Sequence, residues 1–324
     1  MAVQLDSVIP AWIDDDEGAR FPISRAVLQK GLHGKLWCER GYTRQEQKLL
    51  FLDIHRILRD ALQMPCSFSR EAIFTAGAPG AGKSKLMEDY LAREKEKLHI
   101  SCYFIDPAST LHYLSRTYKS EIVNRTAGEQ TVQEIKRGRA EVYQKWRPAA
   151  DVVSVLLLLK MVELGRRFAY SSTTNTSLVV HVFEWLRYKH YSIEVIHLTT
   201  LEKVRYLSLE ERCTLEISSY PQLQAAESKM MLKETPEEIQ RQGRLFHETI
   251  RVYLSCDVVH FFFRSSIVKR ALLAATWSRG GLLQVRNQRA YAELVVEHDR
   301  VCKDLPDGEN LTWENVMRPA TALL

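Results

Sequence analysis

Eight residues, Gly77-Ala78-Pro79-Gly80-Ala81-Gly82-Lys83-Ser84, constrain this chain more than any others. Two glycines flank four residues and Lys-Ser follows at once, which is the spacing of a phosphate-binding loop. The preceding run, Ala72-Ile73-Phe74-Thr75-Ala76, is short, apolar and β-prone. The following run, Lys85 to Leu91, has helical spacing. Strand, tight turn and helix are thus laid end to end, the context that such a loop requires. Gly77, Gly80 and Gly82 let backbone N–H groups turn inward as an anion nest, with Ala78, Pro79 and Ala81 completing it, and the helix start adds its positive end. In such a loop Lys83 reaches the terminal phosphates and Ser84 holds Mg²⁺, so ATP and Mg²⁺ are the expected cofactors.

The rest of the 324-residue chain must supply a sheet around that loop, and the chain's 45% hydrophobic and 26% charged residues are ordinary globular composition. A formal net charge of +5 favours phosphate-rich ligands without calling for nucleic acid. Cys38, Cys66, Cys102, Cys213, Cys256 and Cys302 are scattered with no Cys-x-x-Cys pair, which predicts free thiols in a reducing compartment. Met1 to Pro10 lacks the basic start and apolar core of a signal peptide. The apolar run Val152 to Leu159 is too short to cross a bilayer. A cytoplasmic protein without membrane contact is expected.

Taken in order, the acidic run Asp14-Asp15-Asp16-Glu17 reads as a solvated turn. Residues 43–62 read as a helix with Thr43 and Glu46 as its capping box, packed on the core. Strands are expected at 100–105, 167–170, 193–198 and 258–263, with a short edge strand at 282–285. Helices are expected at 112–122, 130–146, 149–164, 178–188, 200–212 (with Glu202 third after Thr199), 236–254, 267–277 and 288–298. Pro148 separates two of them. Repeated strand and helix predict an α/β fold with a mostly parallel central sheet covered on both faces. Asp106, at the carboxyl end of the second strand, is placed either as a metal and substrate ligand or as the cap of the next helix. Ser171 to Thr176, including Thr173 and Thr174, form either a polar crevice floor for a substrate or a plain loop. Arg212, Arg241 and Arg244 are candidate phosphate clamps. The chain from Asp304 onward reads as weakly structured or superficial.

A phosphate loop alone is shared by motors, switches and small kinases. No Asn-Lys-x-Asp guanine signature is present, and Tyr103-Phe104-Ile105-Asp106-Pro107 offers one acid where a motor carries an acidic pair. A small kinase is the economical reading. The motifs Gly77 to Ser84, Ile105-Asp106-Pro107, Lys145-Trp146-Arg147-Pro148-Ala149, Phe168 to Thr174, Glu211-Arg212 and Phe261-Phe262-Phe263-Arg264 follow one another as in the zeta toxin family, which the chain resembles. The resemblance spans about residues 70–300. It leaves 1–69 as an N-terminal helical extension and 301–324 as a tail.

What the resemblance implies is a P-loop kinase-like three-layer sandwich with added helices. It also implies ATP-dependent phosphorylation of a hydroxyl on a small nucleotide metabolite, UDP-N-acetylglucosamine or NAD, toxic to the target cell. An antitoxin or chaperone partner is implied, as is delivery into another cell as an effector. Lys83 and Ser84 carry over as phosphate and Mg²⁺ ligands, Arg212 as one phosphate contact, and Arg241 or Arg244 as a second. The family strand ends Asp-x-Asp, with the second Asp as general base, and here Ala108 stands at that position. Ser171 stands where the sugar-nucleotide kinases have Glu. A kinase slowed or silenced at Ala108 and a non-catalytic nucleotide-binding interaction protein are therefore both open readings.

Overall fold

In a computed structural model the described residues are 42–317, without 129–130, 172–178, 221, 225–226, 228–231, 233, 249–253, 281, 304 and 306–307. The acidic run at 14–17, Cys38, Thr173, Thr174 and Arg251 lie outside them. A helix α1 (Arg44–Gln63) leads into β1 (Glu71–Ala76), the phosphate loop and α2 (Lys83–Leu98). Then come β2 (Tyr103–Ile105), α3 (Pro107–Tyr113), α4 (Tyr118–Thr126), α5 (Val132–Glu163), β3 (Phe168–Ser171), α6 (Val179–Tyr188) and β4 (Ser192–Thr200). The chain continues through α7 (Glu202–Ile217), α8 (Pro236–Glu248), β5 (Val258–Arg264), β6 (Leu272–Ser278), β7 (Leu282–Val285), α9 (Gln288–Cys302), a 3₁₀ turn and α10 (Trp313–Met317).

The strands form one seven-stranded sheet in the order β2-β3-β1-β4-β5-β6-β7. The first five are parallel, and β6 and β7 are added antiparallel. β1 sits at the centre. Its outgoing connection runs toward β2, while that of its neighbour β4 runs the other way toward β5, so the chain diverges at this pair and opens a crevice above its carboxyl ends. Both faces are apolar, as a parallel sheet requires. Ala72, Phe74 and Ala76 join Phe168, Val195 and Phe261 in the large core under α1, α5, α6 and α9, while Ile73 faces Met87 of α2 with Ile196 and Phe262.

Several expectations need correction. α5 is one continuous helix with Pro148 inside it. The proline removes one backbone bond, but Trp146, Ala149, Ala150 and Leu156 to Leu159 are all buried, and seating that stripe outweighs the loss. The expected helix at 112–122 is instead two, α3 and α4. Asp53 of α1 fills the break between them, accepting from the backbone N–H groups of Arg116 (2.9 Å) and Thr117 (3.2 Å). Residues 267–277 do not form a helix: 272–278 pair with β5, where an antiparallel partner for the Val259-Phe261-Phe263 row overrides the helix propensity of Leu-Leu-Ala-Ala. α7 has no side-chain cap from Thr199; the Glu202 N–H donates to Glu297 Oε1 at 3.3 Å. The tail is not superficial, because Trp313 is buried with its ring 5.0 Å from Phe261 and its indole N–H donating to the Tyr291 hydroxyl at 2.8 Å. The edge strand at 282–285 and the Thr43/Glu46 capping box are as expected.

Beneath α2 the sheet buries a carboxyl. Tyr90 donates to Glu194 Oε1 at 2.7 Å, and His260 Nε2 stands 3.4 Å from the same oxygen. Burial pushes the Glu194 carboxyl up to about 7, opposed by the Tyr90 hydrogen bond, while burial holds His260 down at about 4. A carboxyl whose folded pKa is raised favours folding below its unfolded pKa, and that contribution is lost as pH climbs through about 7. Glu194→Gln is therefore expected to melt several °C above the parent at pH 8 and within a degree or so of it at pH 5, a contrast that thermal denaturation at the two pH values measures directly.

Candidate functional site

The phosphate loop is built by capturing its carbonyl oxygens. Lys83 Nζ donates to Gly77 O at 2.6 Å and to Ala78 O at 3.2 Å. Arg205 Nε donates to Pro79 O at 3.0 Å. The Thr200 hydroxyl and Arg264 Nη1 both donate to Ala81 O at 3.2 Å, and the Leu86 N–H takes Gly82 O at 3.0 Å as α2 begins. Ala81 N–H closes the turn onto Ala78 O at 3.1 Å, and these bonds together fix the backbone of the loop. The first N–H groups of α2, at Lys83, Ser84 and Lys85, have no acceptor within the helix, and Gly82 supplies no side-chain cap. Amides and helix end together make an anion site.

Two glycines are required by this packing. Gly80 and Gly82 have φ of +77° and +97°, a region costly for residues with a Cβ. A Cβ at Gly80 would stand 2.8 Å from Arg205 O, and one at Gly82 would stand 2.8 Å from Arg264 Nη1.

Lys83 is buried. Burial first and then the charge of Arg205 push its ammonium down to about 8, with Asp106 opposing and Arg212 adding to the fall. Arg205 is 4% exposed, and burial lowers it to about 10 despite Glu202 and Glu297. Arg264 is also lowered by burial, with Glu211 opposing. Cations thus converge on the turn, an arrangement that is electrostatically short of negative charge.

Of the two roles that its sequence position left open, Asp106 takes that of helix cap, and its second oxygen faces Ser84. Its Oδ1 accepts from the Ala108 N–H at 3.1 Å and so caps α3, while Oδ2 accepts from Ser84 Oγ at 3.2 Å and Ser109 Oγ at 2.9 Å. The Ser84 hydroxyl and Asp106 carboxylate are hard oxygen donors at the mouth of the anion site. That donor set fits Mg²⁺, which takes one or two protein oxygens and completes its shell with phosphate and water. Ala108 contributes its backbone N–H to the Asp106 cap and brings no acid.

The remaining sequence candidates divide. Arg212 lies exposed on α7 with its charge felt at Lys83. Arg241 is exposed and spends its guanidinium on Glu238 of its own helix, at 2.9 and 2.6 Å, so the structure does not bring it to the loop. Arg244 lies half-buried on the same helix. Ser171 is buried at the end of β3, 3.5 Å from the Thr75 hydroxyl. Two residues that touch the loop were assigned no role from sequence. Arg205 stands two helical turns before Arg212, on the same face of α7, and that spacing was the available signal. Arg264 ends the apolar run of β5 as Asp106 ends that of β2.

No protein-family model and no curated protein matches the chain. Solved structures do. A chain of the PezAT chromosomal toxin–antitoxin system of the human pathogen Streptococcus pneumoniae is similar over 82% of this chain and 97% of that one, at 14% identity and a TM-score of 0.51. The AvrRxo1-ORF1:-ORF2 structure with ATP matches at 10% identity over 79% and 74% of the two chains with a TM-score of 0.49. Its counterpart with sulphate ions matches over the same shares at the same identity with a TM-score of 0.47. At 14% identity the likeness to the toxin–antitoxin chain is one of fold, and it agrees with the P-loop kinase-like, zeta-toxin-like architecture to which the motifs point.

Proposed function

We propose that the protein is an ATP-dependent kinase that phosphorylates a hydroxyl of a nucleotide metabolite and thereby harms the cell in which it acts. The observation that carries this reading is the coincidence, at the centre of the parallel sheet, of the captured-carbonyl loop with Ser84 and Asp106 joined at 3.2 Å. In this reading Lys83 exchanges Gly77 O and Ala78 O for phosphate oxygens, and Arg212 adds charge from the solvent side. Ser84 and Asp106 would hold Mg²⁺, whose chemistry when bound is to neutralise charge on the phosphates. Phosphoryl transfer asks for little beyond positioning and positive charge, and this site is built for both. The toxin–antitoxin neighbour supports a protein antitoxin as the neutralising partner.

Ala108 favours a second reading. Its position follows Asp106 where the acceptor's general base is expected, and its amide serves only the cap. A protein that binds nucleotide without turning it over is consistent with that feature.

The two readings separate in one assay. Transfer of label from γ-labelled ATP to a panel of nucleotide metabolites is expected to be slow or undetectable for the chain as it stands, and to rise about 10²- to 10⁴-fold in Ala108→Asp. Tight ATP binding with no transfer in either form would establish the binding protein instead.

The state of Lys83 adds a pH signature. With its ammonium at about 8 before binding, and the phosphates raising it on contact, ATP binding takes up a proton when the pH exceeds about 8. Affinity therefore falls as pH rises above that value. Calorimetry in two buffers of different ionisation enthalpy at pH 8.5 should register the uptake, and Lys83→Met should abolish it. Equal heats in both buffers for the parent chain would contradict the assignment.

A further inference from the structure

Helix α8 packs against α9 and α7. Its Ile239 meets Leu209, Cys213 and Ile217 of α7 and Val132 and Ile135 of α5 in a small separate cluster. In the middle of α8 is Gly243, an unfavourable choice inside a helix. The reason is contact: a Cβ there would stand 2.2 Å from Arg205 Nη1. The glycine leaves a notch in α8, and the guanidinium of Arg205 fills it.

Arg205 then reaches backbone on both sides. Its Nε donates to Pro79 O in the phosphate loop at 3.0 Å, and its Nη2 donates to Ile239 O in α8 at 2.6 Å. Both partners are carbonyl oxygens, the guanidinium is 4% exposed, and among the described residues Glu202 and Glu297 are the carboxylates whose charge acts on it. Its charge is felt at Lys83, so whatever brings negative charge to the loop also acts on Arg205. Behind the loop, Ala78, Ala81, Arg205 and Gly243 line a cavity of about 20 Å³ together with Glu202 and Glu297.

We infer that Arg205, seated in the Gly243 notch, is a positioning residue that couples the phosphate loop to α8, so that a bound polyphosphate tightens α8 and a well-seated α8 tightens the grip on the polyphosphate. The inference rests on the nucleotide reading of the loop and adds a second element to it. The physical basis is a single buried guanidinium bonded to backbone on both elements, so that fixing the loop end fixes the α8 end, and linkage makes the effect reciprocal. Lysine at 205 would keep the charge but lacks the planar fork that spans two backbones.

Hydrogen–deuterium exchange of the full chain, with and without saturating Mg-ADP, tests this, with calorimetry reporting binding independently. Amides of residues 236–248 in the parent are expected to slow at least fivefold on binding. In Gly243→Ala and Arg205→Lys the slowing is expected to vanish and the Kd for Mg-ADP to rise several-fold, as the reciprocity of the coupling requires. Arg205→Met should lose the slowing and weaken binding tenfold or more. Protection of α5 and the sheet, unchanged in each variant, reports an intact fold, and Arg205→Lys carries the comparison if Gly243→Ala fails to fold. Bound Mg-ADP with no slowing of α8 in the parent, or equal slowing in Gly243→Ala and Arg205→Lys, overturns the coupling alone. Absence of Mg-ADP binding in the parent overturns the nucleotide reading and this inference with it.

Discussion

The arrangement depends on what holds the oxygen atoms of one turn. Five carbonyls between Gly77 and Gly82 are each taken by a donor: the Lys83 ammonium, the Arg205 and Arg264 guanidinium groups, the Thr200 hydroxyl and the first bond of α2. These bonds fix the backbone of the turn and leave the first N–H groups of α2 without acceptors inside the helix, and the donors come from β4, α7 and β5 as well as from the loop itself.

That dependence explains the layout of the molecule. β1 must lie at the centre of a parallel sheet for β4 to stand beside the loop and β5 to bring Arg264 to it. The two antiparallel strands lie at the far edge, away from the crevice. α3 begins where β2 ends, so the carboxylate that caps it is also the one next to Ser84. A single residue, Asp106, links the start of α3 to the mouth of the loop. Ala108, the second residue of that helix, stands where the motif pattern leads one to look for an acid.

The parts legible in the sequence were those fixed by neighbours in the chain. The loop with its strand and helix, the Thr43/Glu46 capping box and the alternation of strand and helix that makes a mostly parallel sheet all follow from local spacing. What was hidden depends on contacts between distant segments. Leu272 to Trp277 has helical propensity and becomes a strand because β5 offers a partner edge. Pro148 should break a helix, and burial on both sides keeps it whole. Trp313 looks like part of a loose tail until Phe261 and Tyr291 are found against it. Arg205 and Arg264 act through backbone atoms far along the chain, 126 and 183 residues away; Arg205 lies in no motif, and the motif that ends in Arg264 does not say what it bonds.

The central claim is that Lys83 holds the loop carbonyls in place of a phosphate and gives them up when one arrives. A crystal structure of the chain with Mg-ADP bound tests this most directly. The account predicts the β-phosphate inside the turn, Lys83 Nζ within hydrogen-bond distance of it and withdrawn from Gly77 O, and the metal against Ser84. A nucleotide seated elsewhere, or Lys83 still on Gly77 O with no phosphate beside it, would contradict the account.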